Sequence, residues 1–200
     1  MDLFRIYVIT DPAQGDLPHA VQAALGALPR GAAAVQLRDR AADGRGSLAT
    51  ADRLAVIARA HGAPFLVNDR VDVALAARAD GVHLRRDSAS VPEARALGAR
   101  RIGVSTHAVE EVRAAARDGA DFVVFGPVFL SPNKGAALGL DALHEAAQVG
   151  IPIFALGGVD AANAGACTRA GATGVACVRA VLGAPDPAVA ARRMLEAVLA

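Results

Sequence analysis

Arginine supplies nearly all the cationic chemistry of this chain. Of 21 basic residues every one but Lys134 is Arg, and Arg38, Arg40, Arg85, Arg86 and Arg179 each follow closely on a short aliphatic run. A planar guanidinium fork matches phosphate oxygens and donates two hydrogen bonds at once. At least two of the five are expected to be structural or solvated, paired with Asp39, Asp69 or Asp87 or pointing outward. Gly157-Gly158 precede Asp160-Ala161-Ala162-Asn163, which reads as a helix start, so their amides would face an anion at a helix N-terminus. Lys134 lies in a turn-rich stretch over 126–135, long enough for an active-site flap, where an ammonium would close over a polyphosphate leaving group. Phosphate is the ligand these residue types suit best.

Such groups act together only if the chain brings its strand ends to one place. Short β-branched or aliphatic runs at 5–10, 33–37, 64–67, 81–84, 101–104, 122–125, 151–156 and 174–178 alternate with Ala-rich segments of helical period, as at 48–61, 109–118 and 161–170. Alternation of this kind specifies repeated βα units and a parallel sheet. Four strands are entered through similar phrases, Gly31-Ala32-Ala33, Ala79-Asp80-Gly81, Gly119-Ala120-Asp121 and Gly171-Ala172-Thr173, each a helix stop with a tight turn. Eight evenly spaced units over residues 1–200 predict an α/β fold, a compact TIM (β/α)8 barrel in one domain, in preference to a doubly wound open sheet. In a barrel the chemistry belongs at the C-terminal strand ends. Those ends read Thr10-Asp11, Gln36 to Arg40, Asn68-Asp69-Arg70, His83 to Asp87, Ser105-Thr106-His107, Gly126-Pro127, Gly157-Gly158 and Val178-Arg179.

Composition removes several other classes. With 54% hydrophobic residues over 200 positions, the chain can bury roughly 70% of its unfolded surface without a disulfide or structural metal. Twenty acidic residues against 21 basic ones give a formal charge of +1, which leaves no broad basic field for nucleic acid or a membrane surface. Aromatics at 4%, with no Trp, offer few stacking platforms for single strands. Cys167 and Cys177 fit neither a disulfide framework nor a zinc pattern and read as buried free thiols of a cytoplasmic protein. Neither an export signal nor a run of about 18 apolar residues is visible. The Ala-rich helices suit a homodimer interface and the outer ring of a barrel equally.

Taken in order, the motifs resemble the thiamine phosphate synthase family, which includes a thiazole tautomerase branch. The resemblance runs from Tyr7 to Leu182. It rests on Val35-Gln36-Leu37-Arg38, Val67-Asn68-Asp69-Arg70-Val71-Asp72, Ala79-Asp80-Gly81-Val82-His83-Leu84, Gly103-Val104-Ser105-Thr106-His107, Gly126-Pro127-Val128-Phe129, Lys134, Leu138-Gly139-Leu140, Ala155-Leu156-Gly157-Gly158 and Gly171-Ala172-Thr173-Gly174-Val175. It implies a TIM barrel joining 4-amino-2-methyl-5-hydroxymethylpyrimidine diphosphate to a thiazole phosphate, with release of pyrophosphate and help from Mg2+. By the same resemblance Gln36, Arg38 and Arg40 would hold the pyrimidine diphosphate with Asn68, Ser105 and Lys134, the catalytic share falling to Arg38, Ser105 and Lys134. Asp69 would be a Mg2+ ligand, and Ser131, Asn133, Gly158, Val178 and Arg179 would surround the thiazole phosphate. A departing diphosphate needs positive charge aimed where negative charge grows, so no general acid–base pair is required.

The chain departs from that pattern at several places. Arg85-Arg86-Asp87-Ser88 stands where the synthases place Gly-Gln and an acidic pair, so that Ser88 takes the position of a second Mg2+ carboxylate and hard-cation binding is weakened unless Asp87 shifts by one place. Arg40 replaces a usual Lys, Ser131-Pro132-Asn133 replaces Thr-x-Thr, and Arg179 replaces a Ser. Arg85 or Arg86 supplying part of the metal's charge is one reading of these changes; a divergent paralogue, either a tautomerase-like isomerase or a non-catalytic binder of thiamine-precursor phosphates, is another. Pro127, as in synthases, stands where the tautomerase branch can carry His. His83 and His107 read as structural.

Overall fold

The computed structural model describes residues 4–131 and 135–200. Eight parallel strands, β1 (Ile6–Ile9), β2 (Ala33–Leu37), β3 (Phe65–Asn68), β4 (Gly81–Leu84), β5 (Arg101–Thr106), β6 (Phe122–Phe125), β7 (Ile153–Ala155) and β8 (Gly174–Cys177), pair in sequence order and close on themselves. The expected TIM barrel is therefore the observed one. Around it run α1 (Leu17–Gly26), α2 (Gly44–Ala60), α3 (Val71–Ala76), α4 (Val91–Ala96), α5 (Val109–Arg117), α6 (Gly139–Ala147), α7 (Ala164–Arg169), α8 (Arg179–Leu182) and α9 (Pro187–Leu199).

Strands covered on both faces read as unbroken apolar runs, and alternate residues sort into two cores. Ile6, Val8, Val35, Leu37, Val123 and Phe125 pack outward with the helices, whereas Tyr7, Ala34, Leu66, Phe122, Val124 and Phe154 fill the barrel. Four rings plug the interior: Phe4 stacks on Phe154 at 4.6 Å, and Phe122 meets Tyr7 edge-on at 5.4 Å. Gly103 makes room for this, because a Cβ there would lie 2.3 Å from the Phe122 ring and 2.8 Å from His83 Nδ1. A solid floor of this kind leaves the barrel accessible to a ligand from its ends only.

The repeated strand-entry phrases have a specific use. Asp80, Asp121 and Thr173, the polar residues that lead into β4, β6 and β8, accept from the amides of Phe65, Ile102 and Ile153 on the preceding strands at 2.8, 2.6 and 3.2 Å. Their own amides donate to the carbonyls of those same residues, each at 2.8 Å. Each phrase thus clips a new strand to the previous one.

Two helix starts differ from those expected. Helix α2 begins at Gly44, because Asp43 caps it by accepting from the Gly46 amide at 2.7 Å. Helix α7 begins at Ala164, since Asp160 to Asn163 form a side-chain-braced turn in which Asp160 N donates to Asn163 Oδ1 and Ala162 N to Asp160 Oδ1, at 2.9 and 2.8 Å. The amides of Gly157 and Gly158 are therefore not at a helix N-terminus, which corrects that expectation.

Candidate active site

Above the aromatic floor the barrel interior turns polar. Strand register puts Asn68 beside His83 and Ser105 beside Val124, so the inward residues at the ends of β2 to β5 form a partial ring. Within it Gln36 Nε2 donates to Asn68 Oδ1 at 2.9 Å, and His83 Nε2 shares a hydrogen bond with Ser105 Oγ, also at 2.9 Å. Gln36 is 1% exposed, yet among the described residues its Oε1 has no donor, an arrangement that suits a ligand N–H. Burial drives the His83 imidazole down to about 3, so it is neutral at physiological pH and is no proton shuttle.

Around this ring stand the guanidinium groups. The Arg38 backbone is fixed by its amide, which donates to Thr10 Oγ1 at 2.9 Å. Burial lowers the Arg38 pKa from its ordinary value, the positive charges of Arg40 and Arg85 lower it further, and Asp11 opposes them. Arg38 and Arg40 follow β2 and Arg85 follows β4, so the three guanidinium groups belong to the same end of the barrel and act on one another's charge. Arg40, Arg86 and Arg179 are exposed and Arg85 is paired with Asp69, in keeping with the expectation that at least two of the five arginines are structural or solvated. Asp39 does not serve as their partner here; its Oδ1 accepts from the amides of Ala41 and Ala42 at 2.9 and 3.1 Å.

Asp69 is held in a conformation few side chains adopt, with φ at 68°, a region tolerated best by Gly, Asn and Asp. The turn presents its carboxylate to the segment after β4. Arg85 donates to Oδ2 through Nη2 at 2.8 Å and through Nε at 3.3 Å, and the Ser88 hydroxyl donates to Oδ1. Ser88 Oγ in turn accepts from the Arg85 amide at 2.7 Å. Asp87 has not moved into the Ser88 position; its carboxylate, 72% exposed, meets Arg85 at 3.3 Å. With both oxygens of Asp69 engaged by Arg85 and Ser88 and the Asp87 carboxylate turned to the same guanidinium, these residues as arranged do not fit Mg2+, which needs near-octahedral oxygen ligation. No group of three or more His, Cys, Asp or Glu among the described residues is placed to hold a metal.

The loop after β6 folds against the end of β7. Val128 N donates to Leu156 O at 2.8 Å and Phe129 N to Gly157 O at 3.0 Å. Gly158 has φ 63°, and a Cβ on it would meet Leu130 O at 2.5 Å, so glycine is required for the loop to lie there. Ser131 follows next in the chain, half-buried, and Val178 is the N-cap of α8 with Arg179 its first residue. Asn133 and Lys134 lie outside the described residues. His107 is tied to this loop, its Nδ1 donating to Gly126 O, which supports a structural role. The sequence reading named Ser88 only as a lost carboxylate; that its hydroxyl braces Asp69 was missed, as was the proximity of Asp11 to Arg38. The strand-end position of Asp11 was the available signal. A cleft of 440 Å³ at the opposite face, lined by Arg78, Asp80 and Arg100 among others, is remote from all of this.

Fold and mouth define a (β/α)8-barrel protein that concentrates guanidinium groups over a polar ring at its C-terminal face. Comparison with known proteins narrows the class. The thiamine monophosphate synthase family model matches residues 6–181. The thiamine-phosphate synthase of Roseiflexus castenholzii is 43% identical over 197 residues, covering 96% of this chain and 86% of that protein, and that of Chloroflexus aurantiacus is 44% identical, covering 96% and 91%. Among solved structures, the thiamine phosphate pyrophosphorylase from Pyrococcus furiosus superposes with a TM-score of 0.91 at 34% identity, covering 98% of this chain and 96% of that one. The chain belongs to the thiamine monophosphate synthase family.

Proposed function

We propose that this barrel is a transferase of thiamine biosynthesis that couples 4-amino-2-methyl-5-hydroxymethylpyrimidine diphosphate to thiazole phosphate, giving thiamine phosphate and pyrophosphate. The observation that carries the reading is the polar ring of Gln36–Asn68 and His83–Ser105 at the strand ends, with Arg38 and Arg40 following β2 and Arg85, fixed on Asp69, following β4. In the reaction the methylene C–O bond breaks, its electron pair leaving with the diphosphate, and the thiazole nitrogen lone pair forms the new C–N bond. No proton has to move. Guanidinium groups fixed before the event stabilise the charge that collects on the leaving oxygens, with Lys134 assigned to the same task by family resemblance. Gln36 Oε1, buried and without a donor among the described residues, suits an exocyclic amine of the pyrimidine, and Asn68, Ser105 and Arg40 complete that subsite. Ser131, Asn133, Gly158, Val178 and Arg179 are assigned to the thiazole phosphate on the β6–β8 side. Mg2+ supplies charge neutralisation to a leaving diphosphate when bound; Asp69, the residue assigned to it, is here committed to Arg85 and Ser88.

That commitment favours one rival, an isomerase that handles a thiazole phosphate without a metal. The two readings separate on product. Purified protein given both substrates, with Mg2+ and again with EDTA, is expected to form thiamine phosphate and pyrophosphate in equal amounts. Thiazole isomerisation or proton exchange without coupling would replace this reading with the rival, and tight binding without turnover would leave a carrier.

A further inference from the structure

We infer that the Arg85 guanidinium occupies the role of a divalent cation at Asp69, so that this site takes up a diphosphate group without metal. The inference rests on the transferase reading for the identity of the diphosphate, but its own basis is geometric. Asp69 offers two oxygens, and both are engaged: Oδ2 by a two-point contact from Arg85 at 2.8 and 3.3 Å, Oδ1 by the Ser88 hydroxyl. Arg85 is itself held from two further directions, its amide donating to Ser88 Oγ at 2.7 Å and its Nη2 to Asp87 at 3.3 Å. Both partners of the central pair are less than one-third exposed, at 28% and 29%, so the guanidinium is a fixed part of the mouth.

Charge balance points the same way. Arg85 already gives Asp69 and Asp87 a shared cationic partner, and a divalent ion on Asp69 would stand directly against that guanidinium's positive charge. A metal would also have to displace a charge-assisted fork contact and the serine proton before it found a ligand. Arg85 meanwhile keeps donors beyond those spent on Asp69, since a guanidinium carries five N–H groups, and its planar fork suits phosphate oxygens. Arg38 and Arg40 follow the end of β2 as Arg85 follows the end of β4, and the charge of Arg85 acts on Arg38 together with that of Arg40. Ser88 is then the residue that lets Asp69 serve as an anchor for arginine.

The test is calorimetric titration of the full chain with inorganic pyrophosphate at constant ionic strength, in EDTA and in saturating Mg2+. Wild-type affinity in EDTA is expected within about threefold of that in Mg2+. Arg85→Gln is expected to weaken binding in EDTA about tenfold or more, the loss of a charged hydrogen bond, and to regain part of it in Mg2+ once Asp69 is released. Arg85→Lys, which keeps the charge and loses the fork, should fall between, and Ser88→Ala, which removes a brace of Asp69 and of the Arg85 amide, should weaken binding in EDTA less than Arg85→Gln; circular dichroism checks that each variant is folded. Wild-type binding that collapses in EDTA overturns the inference and leaves the transferase reading standing. Arg85→Gln that binds like wild type in EDTA also overturns it, and absence of binding in both buffers overturns inference and reading together.

Discussion

His83 Nε2 and Ser105 Oγ lie 2.9 Å apart across the β4–β5 boundary, with the imidazole 2% exposed between the aromatic floor and the polar ring. The contact orients the Ser105 hydroxyl beneath the mouth while keeping the imidazole out of acid–base chemistry, because burial holds it neutral down to about pH 3. The barrel therefore uses histidine as a neutral hydrogen-bonding wedge.

A pH signature follows. The folded pKa of His83 lies below that of the unfolded chain, so its contribution to stability is present above about pH 6.5 and is lost as pH falls toward 3. Within that window the loss is about 1.4 kcal/mol per pH unit from this group. Urea midpoints measured from about pH 7 down to about pH 4.5 should fall more steeply for wild type than for His83→Gln. Parallel slopes for the two proteins would show that the imidazole is not buried neutral.

Arg38 is the guanidinium expected to matter most for turnover. Its amide is anchored on Thr10, and its charge is partly desolvated beside two other cations, conditions under which a donor acts strongly on developing charge. Arg38→Ala should reduce kcat by about 10²–10³ with pyrophosphate release as the readout. Arg38→Lys should recover only part of that loss, since an ammonium cannot form the two-point contact. The exposed Arg40 should give the smaller effect. Equal activity of Arg38→Ala and wild type would remove Arg38 from the diphosphate site.

The barrel was legible because parallel strands covered on both faces leave long apolar runs, and because Asp80, Asp121 and Thr173 mark strand entries at regular places. Gln36, Arg38, Asn68 and Ser105 were legible as inward or terminal strand positions. The start of α2 was not, since its first turn carries Gly44 and Gly46 and depends on the Asp43 cap. Nor was the start of α7, where Asp160 and Asn163 bond locally instead of continuing a helix. At Asp69 the sequence offered several arginines and a missing carboxylate. Which arginine takes the aspartate depends on the left-handed turn at φ 68° and on the Ser88 bracket, features of three-dimensional placement across 16 residues.

Gly158 should be intolerant of any side chain. A Cβ there would lie 2.5 Å from Leu130 O and 2.8 Å from Phe129 Cβ, on a backbone at φ 63°; the left-handed conformation alone costs about 1–2 kcal/mol for an L-residue. Gly158→Ala is expected to push the β6 loop off the end of β7, raising KM for thiazole phosphate more than it weakens pyrophosphate binding. An unchanged KM with a lowered Tm would confine Gly158 to folding.

Both thiols should be chemically silent in the folded protein. Cys167 and Cys177 are 0% and 3% exposed, and burial raises them to about 11 and about 12, so almost no thiolate exists near neutrality to attack a reagent. Thiol-specific labelling at about pH 8 should be negligible for native protein and should reach both cysteines in urea. The same shifts set an alkaline limit. Folded thiol pKa values above the unfolded value of 9.0 mean that this contribution to stability is complete below about pH 9 and is lost as pH rises toward 11 and 12. Replacement of Cys177 by Ala should flatten that alkaline decline in urea midpoint, and rapid labelling of native protein would contradict the buried placement of β8.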